Sequence, residues 1–550
     1  MYDIERLKRS HKELCEKIFL NRYAVLDREF TWDDTCKRLE AGIGYDIEPI
    51  YAKRFLPAGR IIANLGVKRL LGEDTDEVLF NCYVLEVSDN IEDIADKLSL
   101  AIKIFQKGGG IGFKFNLRPK GFELKRSRGK SSGLLSFIEL YGKAIGTIIQ
   151  GGGRRGAGLA LVPIWHPDIR DFISAKKDLQ SLKMGWSNFN ISVGITKEFI
   201  DAVKQGTKFD LTWNGAVIDR VEARELLRDI AYANWECGDP GIFNLYNAQK
   251  EDKDVIAPNP CGETCLPAWG ICNLGSIVLP KYVSKNKVIS WRNMERDIRF
   301  AIRFLDNVID KSEYIVEPME AVAKRDRRIG LGVTGFGTFL NLLGKDYGSD
   351  DSYFLARELF EFIYRIADDE SWKLAKEKGK DKRNNLKLLS VAPTGTLTFI
   401  ASWDFDGMLS TSIEPQFDWY YNKYITIDGE MRQRLITSLE FIKHLKGING
   451  DKRYLKKDLF DVAKEIQRPK ASDLTWRRHI YMQEAIQGFV DMSVSKTVNV
   501  PNGFTKDETY ELFEYAVTSK HIKGMTYWRD GCRTGNLCKI QSKEECATCG

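Results

Sequence analysis

Residues 258–279 read PNPCGETCLPAWGICNLGSIVL, a short segment holding three cysteines, two asparagines and one carboxylate. In an extended chain, side chains at i, i+2 and i+4 share one face. Asn259, Cys261 and Glu263 have that spacing, and Pro260 stiffens the backbone between the first two. The pattern predicts an amide, a sulfur and a carboxylate offered to one small ligand. Cys272 follows a Pro/Gly-containing turn and opens an apolar run, Ile277 to Leu279, that reads as a strand. The competing reading is a zinc knuckle or a few packed cysteines. Zinc sites bring cysteines in CxxC pairs, and the spacing here is CxxxC with a third cysteine seven residues on. That counts against zinc and leaves it open.

The surrounding chain has 550 residues, enough for one large domain or a few smaller ones with ample core. Its 43% hydrophobic and 29% charged content is that of a soluble globular protein. A net charge of +6 is small for the length and implies no nucleic-acid partner. The N-terminal MYDIERLKRSHKELCEKIF is charged throughout, with no apolar core of signal-peptide length, and no stretch approaches a membrane span. A cytoplasmic protein with mostly reduced thiols is expected. Four of the 11 cysteines, Cys532, Cys538, Cys546 and Cys549, crowd the last twenty residues.

Taken in order, residues 1–55 read as helical and charged, with Arg22, Tyr23, Phe30 and Trp32 as packing anchors. A Pro/Gly loop (54–66) precedes a strand at 79–87 that carries Cys82. Asp89 with Glu92 has the form of a capping box. Ile91, Ile94, Ala95, Leu98, Ile102 and Phe105 then recur at helical spacing. A strand follows Gly108–Gly110, a second helix runs near 134–149, and 158–165 is a buried strand. Pro167 suits the first turn of the next helix. Residues 188–195 alternate, with Phe189, Ile191, Val193 and Ile195 on one side, and Thr196 caps another helix. Strand followed by helix, repeated, is the signature of α/β architecture with parallel strands. Helices are expected at 291–325 and 353–378, a strand at 386–391, and charged helix over 430–490.

Gly330, Gly332 and Gly335 satisfy GxGxxG, but the residues before them, AKRDRRI, are a charged helix end rather than the strand a dinucleotide site requires. Close packing explains the glycines better. Ala392-Pro393-Thr394-Gly395-Thr396 directly follows an apolar strand. It reads either as an anion cradle built from hydroxyls and backbone N–H groups or as an ordinary turn with a threonine cap. The C-terminal CATCG is a CxxC; with Cys532 and Cys538 it gives C-x5-C-x7-C-x2-C, which matches no strong zinc pattern. A mobile dithiol that exchanges with a disulfide suits it better. The five histidines form no metal-binding pattern and read as packing or surface residues.

NPCGE (259–263) with CNLGSI (272–277) resembles the active-site finger loop of ribonucleotide reductase catalytic chains. The resemblance runs through LPAGR (56–60), FNCYV (80–84), GGGIGF (108–113), SSG…SF (131–137), GGGRRGA (151–157), HPDI (166–169), NFNIS (188–192), RRIGLGVTGFG (327–337), APTGT (392–396), SIEPQF (412–417), SKTVNVP (495–501) and KGMTYWRDG (523–531). It implies a ten-stranded α/β barrel of two antiparallel halves, each of five parallel strands, with the finger loop inside. It implies three regions: a helical N-terminal part (1–55), the barrel (56–530) and a flexible redox tail (531–550). Cys261 then looks like the thiyl-radical cysteine, Glu263 like the general base for the ribose 3′-hydroxyl, and Asn259 like a holder of substrate hydroxyls. Cys82 and Cys272 resemble the dithiol that reduces the 2′ position. Cys546 and Cys549 would re-reduce the resulting disulfide and be recycled by a thioredoxin-like donor. Thr394, Gly395 and Thr396 would grip the substrate phosphates.

Family members that import a radical from a second subunit carry adjacent tyrosines near the C-terminus. The matching segment here, Gly524 to Arg529, has none, and Tyr420-Tyr421 lies elsewhere. The tail also lacks the glycyl-radical segment of the anaerobic class. The chain is therefore most similar to the adenosylcobalamin-dependent class, with a chain that needs a separate radical-generating subunit as the alternative. The resemblance further implies a ribonucleotide di- or triphosphate substrate, a dNTP specificity effector near 166–190 and a homodimer. It implies no metal ligands, no nucleic acid and no membrane. Room for an N-terminal ATP-binding cone is not expected, and Cys265 is an extra, packed thiol. Two readings from other classes remain: a nicotinamide-dependent oxidoreductase built on Gly330–Gly335, and a zinc module using the tail cysteines.

Overall fold

The computed structural model describes residues 3–124, 129–148, 157–177, 185–448, 456–530 and 537–539. Ten strands position the site, numbered here in chain order: β1 (Phe55–Pro57), β2 (Cys82–Ser88), β3 (Gly110–Asn116), β4 (Ala157–Pro163), β5 (Phe189–Ile195), β6 (Gly241–Asn244), β7 (Leu274–Val278), β8 (Gly330–Thr334), β9 (Thr497–Val500) and β10 (Gly524–Arg529). Seven of them form one sheet in the order β9-β10-β6-β5-β4-β3-β2. β2 to β6 run parallel, β10 lies antiparallel to β6, and β9 is parallel to β10. β1, β7 and β8 form a second sheet, β7 and β8 in parallel.

Parallel sheets are covered on both faces, so their strands read as near-continuous apolar runs. β4 is buried at six of its seven positions, as that rule requires. β5 shows how a strand serves both core and site. Phe189, Ile191, Val193 and Ile195 are buried in the main core, while Asn190 and Ser192, on the other face, line a cavity. The helix Ile91–Gln106 joins β2 to β3, and Leu134–Thr147 joins β3 to β4. Tyr141 ties the two helices by donating its hydroxyl to Ile94 O at 2.7 Å. Ile91 and Ile102, expected on the packed face, are exposed.

Glycine pattern reflects close packing rather than a dinucleotide turn. A Cβ at Gly332 would lie 2.4 Å from Ser390 O, so β8 can approach the 388–391 segment only without one. That segment pairs with its neighbours through single bridges, Leu331 to Leu389 and Val391 to Val494, rather than as a long strand. Its first amides are held instead by the Asp491 carboxylate, which accepts from Leu388 N and Leu389 N. Beneath, helix Trp291–Lys311 carries Asp306, fully buried, into a polar knot with Arg327 Nε (2.7 Å), Lys378 Nζ (2.5 Å), Asn384 Nδ2 (2.8 Å) and Asn385 Nδ2 (2.9 Å).

Three local expectations are corrected. The start of 430–490 is a β-hairpin, Tyr420–Ile427 with Glu430–Thr437, before the helices resume at Leu439–Ile448. Its two-residue turn is Asp428-Gly429, both at positive φ (55° and 77°), the Asp-Gly signal of a tight hairpin. Asn90, not Asp89, caps the helix after β2: its side chain accepts from Glu92 N at 2.8 Å, while Asp89 binds Arg118. The helix after Pro167 begins at Ile169, because His166 Nδ1 accepts from Asp168 N and holds the intervening turn. Among the described residues no helix is long and apolar enough to cross a membrane.

Candidate active site

The segment 258–264 is a turn rather than an extended strand. Ala257–Pro258 and Cys265–Leu266 pair antiparallel, and Asn259 N donates to Thr264 O at 3.1 Å. Gly262, at φ 80°, makes the reversal, and its N–H returns to Asn259 O at 3.0 Å. The shared face predicted from i, i+2, i+4 spacing is replaced by a hairpin tip. The same three residues still converge, because Asn259 Nδ2 donates to Glu263 Oε1 at 2.8 Å across the turn.

The first sheet and the segments at 390 and 493 hold this tip. From the first, Asn190 Nδ2 donates to Pro260 O at 3.2 Å, and Gly112 passes so close that a Cβ would sit 1.9 Å from Pro258 O. From the other side, Ser390 Oγ and Ser493 N both donate to Glu263 O, at 2.8 and 2.9 Å. Two hydrogen bonds on one carbonyl fix the backbone beneath the carboxylate. Asn259 and Glu263 are buried. Cys261 is not: the turn pushes it out of the hairpin, and its side chain is exposed to a cavity of about 120 Å³.

The cysteines gather from separate elements. Cys82 opens β2, and Cys272 N donates to Cys82 O at 2.9 Å. With the neighbouring Tyr83–Ile271 antiparallel bridge, this sets the two cysteines directly opposite one another. Their thiols lie within reach of one another and form no disulfide. That contact and burial raise the Cys82 pKa well above its usual value, whereas the Asn259 side chain, also bonded to Cys82, works the other way. Enclosed by the cavity walls, the Cys261 thiol is raised first by desolvation, then by Glu263 and Cys82. Burial lifts Glu263 to about 7, against the lowering effect of hydrogen bonds. Its Oε2 is buried and has no hydrogen-bond partner among the described residues. One carboxylate oxygen is thus oriented by Asn259 while the other remains open to a donor.

The cavity facing Cys261 is walled by Asn190, Ser192, Asn234, Lys496 and the glycines Gly238, Gly241, Gly262 and Gly524. Space beside Gly262 is open, and the buried Asn234 Oδ1 has no donor among the described residues. A wall with four glycines and an unmet amide oxygen suit the flat, amine-bearing adenosyl part of a cofactor. Among the described residues no group of three or more His, Cys, Asp or Glu is arranged to hold a metal ion.

The 392–396 loop lies at the head of helix Leu397–Ser402. Thr394, expected as a phosphate ligand, turns its hydroxyl inward to Thr334 Oγ1 (3.0 Å), Thr398 Oγ1 (3.2 Å) and Ser412 N (2.8 Å). At φ 48° it also shapes the loop. Gly395 is exposed with open space around it, and Thr396 is half-buried. Cys265 is packed in a small apolar cluster with Val84, Leu159 and Phe243, its pKa pushed up to about 11 by burial. Cys532, Cys546 and Cys549 lie outside the described residues. Sequence reasoning missed Ser390, Ser493 and Lys496; polar residues inside apolar strand runs were the available signal.

A family model described as ribonucleotide reductase, barrel domain, matches residues 80–384 and 382–528. The chain belongs to the ribonucleotide reductase family. A relative from Mycobacterium tuberculosis named vitamin B12-dependent ribonucleoside-diphosphate reductase is 33% identical over 515 residues, covering 88% of this chain and 71% of the relative. A Thermoplasma acidophilum reductase of the same name is 33% identical, covering 87% of this chain and 64% of its own. A Chlamydia trachomatis ribonucleoside-diphosphate reductase subunit alpha is 26% identical over 66% of this chain and 38% of its own.

Proposed function

We propose that this reductase converts ribonucleotides to deoxyribonucleotides by thiyl-radical chemistry at Cys261, with adenosylcobalamin as the cofactor. The observation that carries the reading is the convergence of three thiols, one amide and one carboxylate around a single hairpin tip, of which Cys261 faces the cavity. Cobalamin dependence is favoured over a chain served by a separate radical subunit because the more similar relatives carry vitamin B12 in their names, and the subunit-alpha relative matches at lower identity over less of the chain. Those names also favour a diphosphate substrate. A closed ten-stranded barrel is part of the proposal. The bridges at Tyr83–Ile271, Leu331–Leu389 and Val391–Val494 support it, since they connect the second sheet to both ends of the first.

In this reading Cys261 takes the ribose 3′ hydrogen and later returns it, so no net change falls on that sulfur. Glu263, titrating near 7, accepts the 3′-hydroxyl proton on its open Oε2 while Asn259 steadies Oε1. The C2′–O bond breaks and oxygen leaves as water. Cys82 and Cys272 supply the two protons and two electrons and close a disulfide. Gly395 and Thr396 meet the phosphates. Asn234 and the glycine wall would hold the adenosyl group, which supplies the one-electron oxidising equivalent that a resting thiol lacks. Substrate and cofactor together would cover the exposed Cys261 and keep water from the radical. The proposal includes a helical region over 1–55, a barrel over 56–530, a redox tail over 531–550 with Cys546 and Cys549 as the recycling dithiol, a thioredoxin-like donor, a dNTP effector and a homodimer. The test is an assay of the purified chain with and without adenosylcobalamin on the four ribonucleotides at both phosphorylation levels. Product only with the cofactor is expected. Product only on adding a second subunit would replace this reading with the alternative.

A further inference from the structure

Lys496 has no part in the chemistry just described, yet its side chain is fully buried at the edge of the Cys261 cavity. Its ammonium has three donors, and each is directed. They reach Glu414 Oε2 at 2.5 Å, Thr497 O at 2.5 Å and His479 Nδ1 at 2.9 Å. His479 Nε2 lies 3.0 Å from Ala471 O, which can only accept, so Nε2 carries the proton and Nδ1 is the bare acceptor for the lysine. The ring is therefore neutral, and among the described residues Glu414 is the charge paired with Lys496. The other Glu414 oxygen accepts from Thr497 N at 2.7 Å. Lysine and glutamate together clamp the backbone of 496–497, whose Lys496 O also accepts from Thr526 N.

Glu414 belongs to the loop 412–416, and this loop reaches the 392–396 turn directly. Ser412 N donates to Thr394 Oγ1 at 2.8 Å. Both residues adopt left-handed backbone, φ 49° and 48°, a conformation that side chains other than glycine hold only when neighbours enforce it. Gly337 lets the loop seat: a Cβ there would meet Glu414 O at 2.7 Å. A continuous chain of contacts thus runs from the turn at Thr394 through Ser412, Glu414 and Lys496 to the wall opposite Cys261.

We propose that Lys496 is a positioning residue for the ribonucleotide: paired with Glu414, it locks the phosphate-side turn and the cavity wall into one rigid unit. The distance between phosphates and ribose is fixed in the substrate, so the two surfaces must keep a fixed separation for the 3′ carbon to meet Cys261. This rests on the function proposed above. The test uses the full chain, with ribonucleotide binding measured by equilibrium dialysis of labelled nucleotide and folding by thermal melting. Lys496→Met alone strands the Glu414 charge and lowers the melting temperature. The double variant Lys496→Met with Glu414→Gln removes both charges and melts near the parent. It still binds nucleotide at least about tenfold more weakly, and Lys496→Arg recovers affinity to within about threefold. If the double variant or Lys496→Met binds as tightly as the parent, the positioning role is wrong while the reductase reading stands. If the parent itself binds no ribonucleotide, the reductase reading fails and the positioning role falls with it.

Discussion

Glu263 is where chemistry and stability pull in opposite directions. Its folded pKa of about 7 lies above the ordinary carboxylate value of 4.5. The unfolded chain therefore loses this proton at lower pH than the folded one. Stability contributed by the neutral form is complete below pH 4.5 and is lost as pH rises to 7. A shift of this size corresponds to roughly 3 kcal/mol at alkaline pH. Glu263→Gln is accordingly expected to raise the melting temperature at pH 8 and to leave it nearly unchanged at pH 5. The same substitution lowers turnover by about a hundredfold or more. In the parent, kcat/KM climbs with pH and levels off above 7; a flat profile would remove Glu263 from the role of base. Cys261→Ser abolishes product formation while leaving the Cys82 and Cys272 thiols free to react with a disulfide reagent. These residues were legible in sequence because their types are unusual together. Their arrangement was not, since i, i+2, i+4 spacing describes a strand and Gly262 makes a turn.

At the level of elements, the hairpin tip depends on what lies beneath it. Gly112→Ala places a methyl group against the Pro258 carbonyl. The expected cost is about 1–3 kcal/mol in thermal or denaturant unfolding. Because β3 and the tip must separate, turnover should fall far more than the melting temperature suggests. Equal, modest losses would mean that the tip tolerates displacement. The strands of the first sheet were readable from their apolar runs and the helices between them from periodicity. The 420–437 hairpin was hidden because charged residues dominate 430–434, whose side chains face solvent. The Asp-Gly turn was the better guide. Thr394 escaped for another reason: nothing local announces that a threonine hydroxyl will be claimed by Thr334, Thr398 and Ser412.

Across the whole molecule, polar contacts bring segments distant in sequence together. Asp306 is the centre of one such knot, and Asp306→Ala strands the buried Arg327, with an expected loss of about 3–5 kcal/mol in denaturant unfolding. An unchanged midpoint would show that Asp310, which also binds Arg327, suffices. Long-range pairing of this kind has no signature in a single sequence, whereas the order of motifs along the chain did identify the family. Recycling belongs to this scale too. Cys546→Ser with Cys549→Ser should spare turnover driven by dithiothreitol and abolish turnover driven by a protein reductant; loss of both would end the shuttle role. Cys82 and Cys272 already stand opposite each other on neighbouring strands, a geometry that accepts a disulfide with little backbone shift. Oxidised and reduced molecules would then share one outline, so the recycling dithiol could not recognise the spent pair by shape and would have to find it by trial.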